Sequence, residues 1–506
     1  MGKINRAGNC RSFSRKSRWL EVMKLSRKRL ALLVLASLLI VASWWGIAAA
    51  RTGLQVRSLQ QDNLPLLYLA PQQAQSVPGV LIAHGFAGSK QLMLGYGHVL
   101  ARAGYGVMLW DFDGHGANAN RLQRYELEQN LDVALQALLE QPEIDSTRLA
   151  LLGHSMGSGM VMMQGIRDRD RFAATVAISP TGASVTPEAP RNLQLQAGSG
   201  EGRFVSNAER LLTQAGGENP NLATGEGREL VVIPGVEHIT ILFSDTSHQA
   251  ALRWLNATFG STQESQYIDR RMAWYGLHLL GWLLGLTAVA PLLRVSEQRA
   301  VKIPQIRRWG GLIASPVAAT VGLILLSQRF ELQALGGVQV GGAVGVWFLL
   351  AGGTWLAILG QIPRPHLRTI SLGVLLFALL WVAFGAMAQV VWLQWWLIPM
   401  RLRLWLPIAI ACLPWFLASG IVQQNLGIAQ RFLWWFAQSA ILIGGFVLTL
   451  NYLPQLGFMF LLLPLFPLLI GILSLIAGLF NQAWVYALGS ALFFGWLLAA
   501  GFPLSA

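Results

Sequence analysis

The sequence predicts two parts: an α/β domain built on a mostly parallel sheet, and an all-α domain of several membrane-spanning helices. Of 506 residues, 54% are hydrophobic and 12% are charged, about half the charged fraction of a typical soluble protein. Between Arg51 and Gly260, short apolar runs alternate with amphipathic stretches, which is the pattern of successive β-α units. After Tyr267 the chain becomes a succession of long apolar runs, each able to cross a bilayer. The predicted domains are 1–29 (basic tail), 30–50 (anchor), 51–265 (α/β domain) and 270–506 (membrane domain).

The first apolar run, Leu30–Ala50, follows the basic tail and ends in the pair Trp44-Trp45. Its length predicts a membrane span, and its basic flank predicts a cytoplasmic N-terminus, so the residues that follow are expected outside the cytoplasm. Ala48-x-Ala50 is similar to a signal-peptidase site, so cleavage is an alternative. The run is longer than a typical signal sequence, which favours a retained anchor.

The formal net charge of +14 is concentrated before Leu30 and between the later apolar runs. This distribution is typical of a membrane protein beside anionic lipid and atypical of a nucleic-acid groove, so no nucleic-acid partner is expected. The two cysteines, Cys10 and Cys412, lie far apart and indicate no disulfide framework. The histidines are scattered and lack acidic neighbours at ligand spacing, so neither a metal nor another cofactor is expected.

The elements of the α/β domain follow from apolar runs and turn residues. The predicted strands are Val77–His84, Gly106–Trp110, the apolar run that starts at Leu149, Ala173–Ser179, Asn192–Ala197 and Glu229–Ile233. The predicted helices are Met93–Ala103, Leu127–Leu139, one that begins near Ser158, Ser206–Gln214 and Thr246–Phe259.

The segment Leu149–Gly159 predicts a buried strand, followed by the turn Gly153-His154-Ser155-Met156-Gly157 and then by a helix. This is the G-x-S-x-G pattern. A serine nucleophile must project from a sharp turn between strand and helix, where a Cβ two residues before or after it would collide with backbone. The helix then directs its N-terminal N–H groups at the developing oxyanion.

Further motifs accompany this turn in a fixed order: H-G-F at His84–Phe86, D-x-D-G-H-G at Asp111–Gly116, and G-x-x-H at Gly235–His238. Together with Gly153–Gly157 they make the segment resemble the α/β-hydrolase fold superfamily, whose members include serine esterases, lipases and serine aminopeptidases. The resemblance spans the soluble domain and none of the membrane tail. It implies a sheet flanked by helices and hydrolysis through an acyl-enzyme.

The resemblance also implies a triad in the order Ser, acid, His. Ser155 is the expected nucleophile and His238 the expected base. Glu201 is the expected acid, with glutamate in place of the usual aspartate. Asp245 is the alternative acid, although its position before a helix favours an N-cap. His248 is the alternative base, but we expect it on a solvated face of the last helix.

The oxyanion hole implied by the resemblance consists of the backbone N–H groups of Phe86 and Met156. Structural roles are expected for the remaining polar residues of the motifs: His84, Asp113, His115 and His154.

The short segment between Pro180 and Arg191 leaves no room for a helical cap, so an open site is expected. Such a site suits a small or medium acyl ester, or a substrate presented at the membrane surface. The expected partners are therefore a small or lipid-like acyl substrate and membrane lipid. The candidate residues of an acyl pocket are Phe86, Met93, Phe204 and Ile239–Ile241. Apolar residues at such positions are equally typical of the hydrophobic core. The sequence therefore favours a membrane-anchored serine esterase. A peptidase or acyltransferase of the same fold and a non-catalytic sensor or scaffold are the alternatives.

The tail predicts about eight spans. They are Trp274–Leu293, Gly310–Ser327, Val340–Gly360, Ile370–Val391, Trp405–Ile421, Phe432–Leu450, Phe458–Ala477 and Ala483–Gly501. The basic loop Arg294–Arg308 is expected in the cytoplasm, in agreement with an exported hydrolase domain. Arg401 and Arg403 fit this topology badly, since simple alternation puts them outside.

Two further features of the tail bear on its role. Beyond Glu297 the single acidic residue is Glu331, which argues against ion-coupled transport. The G-x-x-x-G pairs Gly281/Gly285 and Gly341/Gly345 are candidate helix-packing faces.

Overall fold

The computed structural model describes residues 26–123, 126–260, 266–293 and 302–505. Most of the predicted basic tail, with Cys10, and the first half of the basic loop Arg294–Arg308 lie outside the described residues. The strands and helices predicted for the α/β region are present in the predicted order, with one additional hairpin before them.

The sheet has eight strands in the order β1-β2-β4-β3-β5-β6-β7-β8. They are β1 (Leu54–Gln61), β2 (Leu64–Pro71), β3 (Val77–Ala83), β4 (Gly106–Trp110), β5 (Ile144–His154), β6 (Phe172–Ile178), β7 (Leu193–Gly198) and β8 (Arg228–Ile233). β2 runs antiparallel to both β1 and β4, and all the other neighbouring strands are parallel. The predicted mostly parallel sheet is thus confirmed.

Helices cover both faces of this sheet. They are α2 (Leu94–Arg102), α3 (Leu127–Leu139), α4 (Met156–Arg167), α5 (Gly202–Gln214) and α6 (Asp245–Phe259), and they follow the N-terminal helix α1 (Arg27–Ala50). In β3, Val80 and Ile82 pack into one apolar cluster while Leu81 packs into another. Central strands buried on both faces in this way are continuously apolar, which is why the sequence pattern located them.

The hairpin β1–β2 is absent from the sequence-based prediction. Its turn, Asp62-Asn63, has positive φ at both residues, 47° and 64°. Asp and Asn tolerate this conformation, but the pair is a weaker hairpin signal than Asn-Gly or Asp-Gly. β1 also lies at the edge of the sheet and is only partly buried, so its apolar pattern is diluted.

All the loops that carry the predicted site residues lie at one edge of the sheet. Gly85 and Phe86 follow β3, Ser155 follows β5, Glu201 follows β7 and His238 follows β8. Because these strands are parallel, their carboxyl ends meet at the same edge, where open α/β sheets bind ligands.

The tail consists mainly of helices at the positions of the predicted spans. Its helices are α7 (Arg271–Leu293), α8 (Gln305–Ser327), α9 (Gly341–Leu359), α10 (Leu367–Leu380), α11 (Ala386–Val391), α12 (Pro399–Val422), α13 (Ile428–Tyr452), α14 (Leu465–Phe480) and α15 (Ala483–Gly501). A short π-helical turn at Trp381–Gly385 joins α10 to α11.

In the described part of the chain, eight helices, α1 among them, are long and apolar enough to cross a membrane. A further span is broken: the 3-10 segment Pro454–Leu462 meets α14 at 49°. The predicted run Phe458–Ala477 falls on this broken pair, so each of the eight predicted tail spans corresponds to a helical element of the tail.

Helix α1 packs along α7 through small residues. A Cβ on Gly281 would lie 3.0 Å from the carbonyl oxygen of Ala36, and Gly46 lies under the indole of Trp274. The candidate face Gly281/Gly285 is therefore a helix contact, as predicted. In the second pair, Gly345 lies against Ile408 and Ala411 of α12.

Two loops at the carboxyl edge of the sheet contact the tail. In the loop after β3, Gln91 donates to Oε1 of Gln394 at 2.6 Å, and the N–H of Gln394 donates to Oγ of Ser89 at 3.3 Å. After β4, the N–H of Leu504 donates to the carbonyl of Gly114 at 2.8 Å. The tail thus abuts the edge that carries the predicted site.

Arg401, which fitted the predicted topology badly, belongs to this contact. Its side chain is buried and donates to the carbonyls of Ala499 (2.6 Å), Phe502 (2.7 Å) and Gly114 (2.5 Å). Arg401 therefore lies on the same side of the tail as the sheet domain, in agreement with simple alternation. Arg403 is exposed.

Candidate active site

The nucleophile turn has the geometry that the G-x-S-x-G pattern predicts. β5 ends at His154 and α4 begins at Met156, and Ser155 between them has φ 52° and ψ −118°. A non-glycine residue rarely has positive φ, and such strain persists where the surroundings hold it. Here the N–H of Ser155 donates to the carbonyl of Ile178 at 2.9 Å.

The flanking glycines are required by close backbone contacts. A Cβ on Gly157 would lie 2.6 Å from the carbonyl oxygens of both Ala83 and His84. A Cβ on Gly153 would collide with the backbone of Gly157 and Ser158. A larger residue at position 157 would push the turn away from β3, and one at position 153 would push the start of α4 away from β5.

Ser155, His238 and Glu201 form a continuous chain of hydrogen bonds. Nε2 of His238 lies 3.0 Å from Oγ of Ser155, and Nδ1 lies 2.8 Å from Oε2 of Glu201. This arrangement lets the imidazole take the proton of the serine while the carboxylate stabilises the resulting imidazolium. The structure thus brings together the three residues that the sequence nominated.

The carboxylate of Glu201 is held by two further donors. Its Oε1 accepts the N–H of Gly198 at 2.6 Å and the hydroxyl of Ser179 at 2.7 Å. Glu201 is buried, so these bonds replace hydration that burial removes. Ser179 was not singled out from the sequence, although its position at the end of the predicted strand Ala173–Ser179 was the available signal.

Two aromatic side chains position His238. Nε2 of His154 donates to the carbonyl of His238 at 2.9 Å, and the ring of Phe204 stacks on the imidazole at a centroid distance of 4.3 Å. Burial, with a contribution from His238, holds the pKa of His154 well below its ordinary value. His154 is therefore neutral at pH 7 and supports His238 rather than serving as a base.

Neither alternative residue joins the triad. The expectation that His248 lies on a solvated face is wrong: it is buried, donates from Nε2 to the carbonyl of Leu242 at 2.9 Å, and meets the ring of Tyr96 edge-on. Asp245 is the first residue of α6, after Ser244 at the N-cap. Among the described residues, no hydrogen bond joins Asp245 to His238.

The predicted oxyanion donors lie on the two elements beside Ser155. Met156 is the first residue of α4, so its N–H is not used within the helix. Phe86 follows Gly85, where a Cβ would lie 3.1 Å from Cβ of Ser155. His84 braces this loop as expected, since its Nε2 accepts the N–H of Phe112 at 3.1 Å while Nδ1 donates to the carbonyl of Gly85 at 2.8 Å.

The turn after β4 is held as predicted. His115 donates from Nδ1 to the carbonyl of Asp113 at 2.9 Å, and Asp113 accepts from Asn118 and Asn120.

A buried ion pair, which sequence reasoning missed, ties this turn to the loop after β3. Lys90 pairs with Asp111 through its ammonium group, and its N–H donates to Oδ1 at 2.8 Å. Burial alone would raise the pKa of Asp111, but Lys90 and the hydrogen bonds hold it below its ordinary value. Lys90 and Asp111 lie 21 residues apart in sequence, so no local pattern indicates the pair.

Other features define the surroundings of the triad. Residues 180–191 form a loop without a helix, so there is no inserted cap. Instead the tail supplies Phe458, whose ring stacks on Phe86 at a centroid distance of 3.7 Å.

The described residues contain no group of three potential metal ligands. A cavity of about 550 Å³ lies far from Ser155, near Gln194 and Glu229 at the amino-terminal ends of β7 and β8.

Comparison with known proteins gives one family and several relatives. Residues 75–216 match the family described as Serine aminopeptidase, S33; this segment contains Ser155 and Glu201 and ends before His238. An uncharacterised protein of Mycobacterium tuberculosis, Rv2307c, is 29% identical over 197 residues, which cover 35% of this chain and 69% of that protein.

Two solved structures are among those that match part of the chain. A putative dienelactone hydrolase from Klebsiella pneumoniae is 15% identical with a TM-score of 0.33, and the match covers 42% of this chain and 98% of the other. A bacterial membrane phospholipase A is 16% identical with a TM-score of 0.35, and the match covers 48% of this chain and 99% of the other.

Proposed function

We propose that this chain, an α/β hydrolase with a C-terminal region of several apolar helices, is a membrane-bound serine hydrolase that cleaves acyl esters. The observation that carries the proposal is the unbroken relay from Ser155 through His238 to the buried carboxylate of Glu201. The proposed reaction uses no cofactor, because His238 lies within hydrogen-bond distance of Ser155 and serves as its base.

In the proposed reaction, Oγ of Ser155 attacks the ester carbonyl carbon while Nε2 of His238 accepts the serine proton. The N–H groups of Phe86 and Met156 bind the resulting oxyanion. The C–O bond to the alcohol then breaks, and His238 returns the proton to the departing oxygen. A water molecule, deprotonated by Nε2 of His238, attacks the acyl carbon of the acyl-enzyme. The bond from this carbon to Oγ then breaks, His238 returns the proton to Oγ, and the acid and free Ser155 are released.

A second candidate, a peptidase with the same triad, is favoured by the description of the matching family. An aminopeptidase must bind the ammonium group of its substrate, which calls for an acidic side chain near the nucleophile. Glu237 lies beside His238, but its carboxylate accepts the N–H groups of Ile239 (3.2 Å) and Thr240 (2.9 Å). Glu237 is thus held by the backbone of its own loop, and no contact directs its carboxylate toward Ser155 among the described residues, which favours an ester substrate.

We further propose that the hydrolase domain (51–265) is extracytoplasmic and that α1 is a retained anchor in the plasma or inner membrane. The carbonyl of Ala50, at the end of α1, accepts from His98 and Arg102 of the hydrolase domain. The basic start of α1 therefore lies at the end of the helix that is remote from the hydrolase. Basic residues also cluster at the ends of the tail spans remote from the hydrolase: Lys302, Arg307, Arg308, Arg364, Arg368 and Arg431. The positive-inside rule assigns that side to the cytoplasm.

The test has two assays on separate samples of the full-length protein in detergent. One is labelling with a fluorophosphonate probe, and the other is hydrolysis of p-nitrophenyl butyrate and of alanine p-nitroanilide. Labelling is expected to disappear in Ser155→Ala, to fall about 10³-fold or more in His238→Ala, and to persist in His366→Ala, a change at an exposed histidine of the tail. Faster cleavage of the anilide than of the ester would favour the peptidase. Absence of labelling in folded wild-type protein would instead indicate a sensor or scaffold.

A further inference from the structure

The catalytic edge of the hydrolase faces the membrane tail. The loop after β3 bonds to Gln394, and the turn after β4 bonds to Arg401 and Leu504. Ser155 follows β5, the strand next to β3. The nucleophile turn therefore lies at the edge of the hydrolase that abuts the tail.

A cavity of about 430 Å³ lies in the tail between residues 333–340 and residues 454–460. Its size is within the range of small-molecule sites, about 300–1,000 Å³. Phe458 forms part of its wall and stacks on Phe86, while Gly85, the residue before Phe86, adjoins Ser155. The stacked rings thus connect the oxyanion loop to the cavity.

The walls of the cavity are tied to the hydrolase and to each other. The N–H of Gln339 donates to the carbonyl of Pro503 at 2.7 Å, and the next residue, Leu504, pairs with Gly114 of the hydrolase. Across the cavity, the side-chain amide of Gln333 donates to the carbonyl of Gln455 at 2.6 Å. The cavity and the triad are therefore held in a fixed relation.

The broken span supplies one wall of the cavity. Residues 454–462 form a 3-10 segment that meets α14 at an angle. Irregular backbone at membrane depth is tolerated where it is buried in protein or lines a cavity, and interrupted spans commonly form binding sites. Phe458, whose ring stacks on Phe86, belongs to this same segment, so the break and the aromatic contact point to one site.

The chemistry of the cavity selects an apolar occupant. Its lining contains Val340, Pro454, Phe458 and Phe460 beside neutral glutamines, and none of its residues is charged. The hydrolase-side ends of the tail helices carry exposed aromatic residues: Phe330, Trp396, Tyr452 and Phe460. Aromatic belts mark the level of lipid headgroups and the adjoining interface, so the cavity lies where the ester groups of a lipid meet its acyl chains.

We propose that this cavity receives an acyl chain of a membrane lipid ester whose carbonyl is presented to Ser155. The proposal rests on the proposed function and names its substrate class: a long-chain lipid ester taken from the bilayer. The chain runs along the Phe86–Phe458 stack into the cavity, and the ester carbonyl remains beside the N–H groups of Phe86 and Met156.

A matched pair of glycine substitutions tests the cavity. A Cβ at Gly457, which lines the cavity, and a Cβ at Gly444, exposed on α13, would each meet no atom within 4 Å. Full-length wild type, Gly457→Leu and Gly444→Leu are compared in phospholipid nanodiscs on p-nitrophenyl palmitate and p-nitrophenyl butyrate. In Gly457→Leu the ratio of kcat/KM for palmitate to that for butyrate is expected to fall about tenfold or more, because the leucine occupies space needed by the long chain. In Gly444→Leu the ratio is expected to stay within about twofold.

The outcomes separate this proposal from the proposed function. Wild type that reacts with neither ester nor the fluorophosphonate would overturn the proposed function. Wild type that cleaves both esters, with an unchanged ratio in Gly457→Leu, would overturn the acyl cavity alone.

Binding is tested separately with Ser155→Ala and a diazirine-labelled palmitoyl phosphatidylcholine. Photo-cross-links are expected at residues 333–340 and 454–460. Cross-links confined to the lipid-facing surface of α13 would overturn the proposal.

Discussion

The substitution Glu201→Gln tests the identity of the triad acid. Glutamine matches glutamate in shape, so its oxygen can still accept from Gly198 and Ser179, which bond to Oε1 in the native protein. The amide group would then face Nδ1 of His238. Since an amide nitrogen donates and cannot accept, Nδ1 must become the acceptor and Nε2 must carry the proton. His238 could then no longer take the proton of Ser155.

The expected loss follows from the distance between the two groups. Oε2 lies 2.8 Å from Nδ1. At an effective dielectric constant of about 20, opposite unit charges at that distance attract by about 6 kcal/mol, and by about 4 kcal/mol when separated by about 4 Å. Removing this stabilisation from the imidazolium that forms in the transition state predicts a fall in kcat of roughly 10³- to 10⁴-fold.

The assay is kcat for p-nitrophenyl butyrate and the rate of fluorophosphonate labelling, with thermal unfolding as the check on folding. Asp245→Asn is the matched control, because Asp245 was the alternative acid. Its position in the first turn of α6 predicts unchanged kcat and a loss of stability of about 0.3–1 kcal/mol. Retention of kcat within about tenfold in folded Glu201→Gln, or a fall of several powers of ten in Asp245→Asn, would refute the assignment.

Two further predictions concern stability. Ser155→Gly is expected to be inactive but more stable than Ser155→Ala by about 1 kcal/mol, because glycine adopts the positive φ of 52° more easily than alanine; equal midpoints in denaturant unfolding would show that the turn stores no strain. Arg401→Met removes three buried hydrogen bonds to carbonyls and is expected to lower the stability of the full chain by about 2–5 kcal/mol. In the same thermal unfolding assay in detergent, Arg403→Met, at an exposed position, should change stability by no more than about 0.5 kcal/mol. A similar effect of the two substitutions would contradict the role given to Arg401.

The parts of the fold that the sequence predicted well are those set by local pattern. β5, the Ser155 turn and α4 are contiguous in the chain, and the two glycines are demanded by contacts within a few residues or with the neighbouring strand β3. The position of Glu201 also followed from local order, because the residue lies just beyond β7. In both cases the chemistry is encoded where a strand ends.

His248 shows where local pattern fails. Its place on an amphipathic helix suggested a solvated face, whereas α2 brings Tyr96 against it and the ring is buried. A helical wheel distinguishes apolar from polar positions, but a neutral histidine can donate from one ring nitrogen to a carbonyl, here that of Leu242, and still be buried. Residue type alone therefore did not determine its environment.

The contact between the two parts of the chain was the least predictable feature, and the reason is geometric. Phe86 and Phe458 are 372 positions apart, and neither lies in a pattern that identifies the other. Periodicity gives the buried face of each element, but it contains no information on how a sheet edge is oriented against a helical bundle. Arg401 was the one trace of this orientation in the sequence, because alternation of the spans placed this positive charge outside the cytoplasm, against the positive-inside rule. The structure resolves the conflict by burying that charge against carbonyls of both parts, and the same contact directs the edge that carries Ser155 toward the tail.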